Sequence, residues 1–295
     1  MNEVFGIPLP ALMGQLMLGL VNGSFYALMS LGLAVIFGML QIINFAHGAM
    51  YMMGAMFSWM ALVYLGVGYW WSLVLVPFVV GAIGIVIERF LLQWIYKLDH
   101  LYGLLLTFGL ALMIGGGFRY VFGAAGQPYT IPKELAGVID LGFMFMPKYR
   151  LWVIVASLVV CFATWYMIEK TRLGAYLRAA TENPKLTQAF GINVPVMVML
   201  TYAFGAALAG FAGVLAAPTT QVSPLMSSNM IITVFAVVVI GGMGSIMGSI
   251  ITGLGLGVLE GLTKVFYAEA SSTVIFVVMV IVLMFRPAGL FGKEK

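Results

Sequence analysis

Three uncharged polar residues in the first third of the chain are the best suited to binding a solute: Asn22, Asn44 and His47. Each lies within or beside an apolar stretch, and a glycine directly follows two of them. Such a glycine lets a helix bend, as in the broken helices that line transport sites. These side chains could bind a polar, overall uncharged solute, or they could hydrogen-bond neighbouring helices. We predict that 22–26 and 44–48 face each other across the protein interior on a solute path.

The sequence lacks the common motifs of catalysis and nucleotide binding. It contains no GxxxxGK[ST], GxGxxG or HExxH motif and no serine nucleophile elbow. Two histidines, His47 and His100, are too few for a histidine-based metal cluster, and the single Cys161 excludes an internal disulfide. We therefore expect no enzyme activity, no cofactor and no bound metal.

Two carboxylates lie within apolar segments, Glu88 beside Arg89 and Glu260. Glu260 precedes Lys264 by four residues, which is the favourable order for an ion pair within a helix. An unpaired charge in the middle of a bilayer costs at least about 2.5–3.5 kcal/mol. We predict that Glu260 and Lys264 neutralise each other, in preference to a transport role for Glu260.

The composition indicates a membrane protein. Of the 295 residues, 63% are hydrophobic and 8% are charged, against about 25% charged in soluble domains. The predicted fold is all-α, with residues 1–295 forming one polytopic helical domain. The net charge of +4 is not typical of nucleic-acid binding. The first ten residues contain an acid and no cation, so we expect no cleaved signal peptide.

Nine apolar segments are candidates for membrane-spanning helices, and a span needs about 20 residues. They are 11–40, 48–66, 71–87, 101–122, 151–168, 196–217, 229–245, 246–267 and 273–286. The first is long enough that it must tilt or break near Gly32 or Gly38. The segment 229–245 is short and could be re-entrant, so we predict eight to nine spans.

A regular spacing of small residues runs through the last third of the chain. Small residues every four positions allow close contact between helices. We therefore predict a crowded bundle interior or a subunit interface here. The residues are Gly241, Ser245, Ser249, Gly253, Gly257 and Gly261.

The polar segment 169–195 is predicted to form two short helices. Asn183 is a candidate N-cap before Pro184, and Gly191 suits a left-handed residue at a helix end. Such short helices need a surface to lie on. That surface could be the membrane or the protein's own helix ends, or the segment could dock into a groove on a partner. The apolar stripe of its first helix comprises Leu173, Tyr176, Leu177 and Ala180.

The distribution of cations predicts the orientation. Placing 169–195 in the cytoplasm puts nine of the fourteen cations on the inner side. The N-terminus is then outside, the C-terminus inside, and 123–149 is the largest extracytoplasmic loop. An odd number of crossings follows, which requires 229–245 to span. The nine are Arg89, Lys97, Lys170, Arg172, Arg178, Lys185, Arg286, Lys293 and Lys295.

Four stretches together resemble the permease subunits of branched-chain amino-acid (LIV-type) ABC importers. They cover nearly the whole chain in the order that the family shows, although each alone is a weak signal. They are NGSFYALMSLGLAVIFGMLQIINFAHGAMYMMGA (22–55), RLGAYLRAATENPKLTQAFGINV (172–194), VFAVVVIGGMGSIMGSIITGLGLGVLEGL (234–262) and FRPAGLFG (285–292).

The resemblance implies a multi-pass subunit of a bacterial inner membrane, surrounded by lipid. Its partners would be a second homologous permease subunit, two cytoplasmic ATPase subunits and a periplasmic solute-binding protein. In this setting 169–195 resembles the element that couples the permease to the ATPase. The residues that match the family's loop pattern are Arg178, Ala179, Ala180, Asn183 and Gly191.

The sequence leaves the solute and one other class of transporter open. Related permeases for urea, short amides or other amino acids share these patterns. A stand-alone secondary transporter would need a coupling-ion site, and its candidate acid, Glu260, has a predicted cation partner. An intramembrane enzyme would need a nucleophile, a paired acid or a metal set, which the sequence does not offer.

Overall fold

The computed structural model describes residues 3–4, 7–96, 98–142 and 144–292. They form eleven α-helices and two small antiparallel β-ladders. The helices are α1 Leu9–Leu40, α2 Ala46–Leu65, α3 Tyr69–Phe90, α4 His100–Phe122, α5 Lys148–Lys170, α6 Arg172–Glu182, α7 Pro184–Ala189, α8 Val194–Ala216, α9 Met226–Gly241, α10 Ile246–Phe266 and α11 Val274–Phe285. The ladders pair β1 Glu3–Val4 with β2 Ile7–Pro8, and β3 Val138–Asp140 with β4 Phe145–Pro147.

The described residues include seven helices that are long and apolar enough to cross a membrane: α1, α2, α3, α4, α5, α8 and α10. The protein is therefore an all-α, multi-pass membrane protein, as predicted. All nine predicted apolar segments contain a helix, but α9 has 16 residues and α11 has 12. At 1.5 Å per residue these are about 24 and 18 Å long, short of a core of about 30 Å.

Helix α1 lies at the centre of the bundle and packs against α5, α8, α9 and α10. It runs unbroken for 32 residues, so of the two predicted outcomes, tilting or breaking, it does not break. Helix α4 is at the periphery, where 11% of its apolar stretch is buried. The apolar side chains of such a helix are left to face lipid or another subunit.

The contact between α1 and α10 depends on glycine. A Cβ atom on Gly257 would overlap the backbone of Gly23, and one on Gly253 would lie 2.6 Å from the backbone nitrogen of Ala27. The predicted close helix packing is therefore confirmed, and it occurs within one chain. Ser245, which also belongs to the predicted series of small residues, caps α10 instead. Its Oγ accepts a hydrogen bond from the Gly248 N–H at 3.1 Å.

The connection 123–149 is held by hydrogen bonds to helix α2 and to the loop between α8 and α9. Gln127 and Val222 exchange backbone hydrogen bonds of 2.8 and 3.0 Å. The Ser58 hydroxyl of α2 donates to the Tyr129 hydroxyl at 3.1 Å, and burial raises the pKa of Tyr129. These contacts hold one end of the bundle together.

Candidate coupling element and polar core

The two predicted helices of 169–195 are confirmed as α6 and α7. The Asn183 side chain accepts a hydrogen bond from the Leu186 N–H at 3.0 Å, so it caps α7, and Pro184 occupies the first turn. Gly191 has a φ of 85°, and its N–H donates to the Gln188 carbonyl at 2.9 Å. Nothing lies within 4 Å of a Cβ built on Gly191, so backbone conformation is what requires glycine here.

The buried side of α6 differs from the predicted stripe. Gly174 and Ala180 are buried and Leu177 is half-buried, whereas Leu173 and Tyr176 are exposed. The reason is Gly174, because any Cβ at this position would overlap the Ile168 carbonyl. The side of α6 that carries Gly174 therefore packs against the end of α5. The predicted stripe is therefore wrong for Leu173 and Tyr176.

Four exposed apolar side chains consequently project from the segment: Leu173 and Tyr176 on α6, Leu186 on α7, and Phe190 after it. Phe190 is 78% exposed. Large apolar side chains exposed together on a polar segment are typical of a contact surface. We call these four residues the exposed apolar set. The sequence alone could not predict this surface, because the same spacing of apolar residues is also typical of a buried helix face.

Arg178 lies at the joint between α5 and α6. Its Nη1 donates to the Ile168 carbonyl at 3.1 Å and lies 3.6 Å from the Glu169 carboxylate. Ala180 is 2% exposed, whereas Ala179 is exposed. Of the five residues that match the family's loop pattern, four thus shape the element: Arg178, Ala180, Asn183 and Gly191.

Asn44 and His47 lie together at the junction of α1, α2 and α8. The Asn44 Nδ2 donates to the Tyr202 hydroxyl at 3.3 Å, and the His47 Nε2 is 3.0 Å from the Met29 carbonyl. Both side chains are buried. Among the described residues, the Asn44 Oδ1 and the His47 Nδ1 have no hydrogen-bond partner. Tyr202, which the sequence reasoning missed, is an isolated tyrosine in an apolar segment.

Asn22 lies apart from that pair. It is half-buried on α1, seven residues before Met29, which is about 10 Å along a helix. The described contacts include no hydrogen bond from Asn22 to Asn44 or His47. The structure thus brings two of the three predicted path residues together, and a path through them stays a prediction.

The predicted ion pair between Glu260 and Lys264 is wrong. The Glu260 Oε2 accepts a hydrogen bond from the Tyr26 hydroxyl of α1 at 2.7 Å, and the ion pair found in the described part of the chain is Glu169–Arg178. The glycine contacts bring α1 close enough to offer this hydroxyl, and spacing along one helix cannot reveal a donor on another.

Comparison with known proteins places the chain in a family. The family described as "Branched-chain amino acid transport system / permease component" matches residues 15–283. The chain belongs to this family. Membership of this family makes it a component of a transport system. The seven long apolar helices of its described residues fit a multi-pass membrane protein.

Several curated relatives are similar over nearly their full length. The high-affinity branched-chain amino acid transport system permease protein BraD of Pseudomonas aeruginosa is 32% identical, over 95% of this chain and 96% of BraD. The permease protein LivH of Escherichia coli is 29% identical over the same shares. The probable LivH of Methanocaldococcus jannaschii is 27% identical, over 93% and 91%. No solved structure matches the chain.

Proposed function

We propose that this chain is the translocation subunit of an ATP-driven ABC importer for branched-chain amino acids in the bacterial plasma membrane. The observation that carries the proposal is the family match over residues 15–283, together with relatives named for this transport over nearly their whole length. The chain itself catalyses no reaction in this proposal, because the ATPase subunits hydrolyse ATP.

The segment 169–195 is the proposed coupling element. The exposed apolar set on α6 and α7 can enter a groove of a cytoplasmic ATPase subunit, as amphipathic helices do in other complexes. Arg178, Ala180, Asn183 and Gly191 hold the two helices in the shape that presents this surface. Ala179 is exposed and free to touch the partner.

The proposed orientation has the N-terminus outside and the C-terminus inside, with α9 and α11 completing nine crossings. The final segment supports a crossing by α11 that reverses the crossing by α10, because the Leu290 N–H donates to the Ile240 carbonyl at 2.8 Å and the Phe291 N–H donates to the Gly241 carbonyl at 3.1 Å. The tail is therefore at the same end of the bundle as the end of α9. The segment 123–149 then faces a periplasmic binding protein.

Reconstitution tests the function. The chain is purified with a second homologous permease subunit and two ATPase subunits, placed in liposomes, and supplied with solute-binding protein and labelled leucine. We expect uptake that requires ATP, the ATPase subunits and the binding protein. Uptake without the ATPase would establish a stand-alone carrier. Uptake of urea, a short amide or another amino acid, with none of leucine, isoleucine or valine, would refute the proposed solute.

A further inference from the structure

A cavity of about 560 Å³ opens between the end of α3, helix α7 and the start of α8. Its volume is within the range of about 300–1,000 Å³ that is usual for small-molecule sites. Both polar and apolar side chains line it. The lining residues are Glu88, Arg89, Gln93, Tyr96, Gln188, Val194, Pro195, Val196, Val198 and Met199.

The cavity carries one buried acid and one exposed cation. Glu88 is 4% exposed, and its Oε1 accepts a hydrogen bond from the Tyr96 hydroxyl at 2.8 Å. Within the described ranges no cation lies within 4.0 Å of the Glu88 carboxylate. Arg89, the next residue, is exposed. An acceptor inside and a cation at the surface complement a small group that carries an ammonium and an anion close together.

A second cavity lies deeper along the same helices. It has a volume of about 210 Å³ and is lined by apolar residues of α3, α5 and α8, among them Pro77 and Phe78. Pro77 precedes Glu88 by eleven residues, which is about three helical turns, so both lie on the same face of α3, about 16 Å apart. One leaflet of a bilayer core is about 15 Å deep. The two cavities are thus spaced like the headgroup and the chain end of one lipid.

We propose that these two cavities bind a phospholipid whose headgroup ends in a primary ammonium, with phosphatidylethanolamine as the occupant. The ammonium donates hydrogen bonds to Glu88, the phosphate pairs with Arg89, and an acyl chain reaches the apolar cavity. Phosphatidylcholine has no N–H to donate to Glu88, and phosphatidylglycerol has no ammonium. A free amino acid shares the ammonium and the anion, but it leaves the deeper cavity empty.

The position of the site gives the lipid a consequence for transport. Gln188 of α7 lines the same cavity as Glu88 of α3, so a bound headgroup fixes α7 against the bundle. This consequence rests on the proposed coupling function of 169–195. Lipid binding itself does not rest on that function. The lipid site and the coupling function can therefore be refuted independently of each other.

Native mass spectrometry of the full-length protein, taken from nanodiscs, tests the site. The discs contain equal amounts of phosphatidylethanolamine, phosphatidylcholine and phosphatidylglycerol with identical acyl chains. We expect selective retention of phosphatidylethanolamine, weakened about tenfold by Glu88→Gln because the acceptor of the ammonium's hydrogen bond loses its negative charge. Glu134→Gln, the same change at an exposed site on the 123–149 connection, should leave retention unchanged.

A second variant and a competitor complete the test. Arg89 is exposed, so Arg89→Gln is expected to fold and to weaken retention even if Glu88→Gln fails to fold. Equal retention of the three lipids by the unaltered protein overturns the proposal, as does unchanged selectivity in both variants. Release of the retained lipid by millimolar leucine would assign the site to a free amino acid and would also overturn it.

Discussion

Residues whose roles depend on their immediate neighbours in the chain could be predicted. Asn183 caps α7 and Gly191 takes a positive φ at its end, because both roles are set within a few residues. Glu260 shows the opposite case. Its partner, Tyr26, is 234 residues away in the chain and is brought near by glycine packing between two helices. The sequence indicates Lys264 as the partner of Glu260, whereas in the folded protein the partner is Tyr26.

Loss of the Tyr26 hydroxyl should destabilise the protein. Tyr26→Phe leaves the Glu260 carboxylate without its 2.7 Å hydrogen bond inside the bundle. We expect the free energy of unfolding to fall by about 1–3 kcal/mol, measured as a lower Tm in detergent. The control is Tyr267→Phe, since the exposed Tyr267 makes only a 3.5 Å hydrogen bond to Glu269. Equal Tm values for the two variants would show that the Tyr26 hydrogen bond is not stabilising.

At the scale of the elements, the nine apolar segments and the two short helices of 169–195 were predictable because hydropathy and capping are local properties. The sequence could not predict which face of α6 is exposed. Its orientation follows from the close approach of Gly174 to Ile168, which no periodicity encodes. The same limit applies to Asn44, because its contact with Tyr202 requires α2 and α8 to be in place.

The contact between α1 and α10 should not tolerate a side chain at Gly257. In Gly257→Val the new Cβ overlaps the backbone of Gly23, so the two helices must separate. We expect a loss of at least about 1–3 kcal/mol in the free energy of unfolding and a low yield of monodisperse protein. Gly255→Val is the matched control, because nothing lies within 4 Å of a Cβ at that position of the same helix. A Gly257→Val protein as stable as this control would refute the packing.

The end of α7 should require a residue that accepts positive φ. Gly191→Val places a β-branched residue at φ 85°, which we expect to distort the coupling element and lower ATP-dependent uptake, while membrane insertion is unchanged. Gly191→Asn should retain more uptake, because asparagine tolerates the left-handed region. Uptake by the reconstituted complex and the amount of protein in the membrane are the two measurements. Equal uptake by the two variants would contradict this role of Gly191.

At the scale of the whole molecule, the distribution of cations predicts on which side of the membrane each loop lies. Helix lengths alone cannot assign these sides. Helix α9 has 16 residues and α11 has 12, so hydropathy cannot say whether each crosses the membrane. The contacts of the tail with Ile240 and Gly241 place it at the end of α9, so α10 and α11 together make an even number of crossings. The proposed orientation, which rests on the distribution of cations, puts the exposed apolar set on the cytoplasmic side, where an ATPase subunit can reach it.

Site-directed cross-linking of the assembled complex tests the central claim most directly. Phe190→Cys and, as control, Val138→Cys are each made in a Cys161→Ala background and treated with a maleimide–succinimide ester reagent. Both positions are exposed, and Val138 lies in the 123–149 connection. We predict that Phe190→Cys is cross-linked to the ATPase subunit and Val138→Cys is not. Failure of Phe190→Cys to cross-link, together with its labelling by an impermeant thiol reagent from outside the cell, would contradict both the orientation and the coupling.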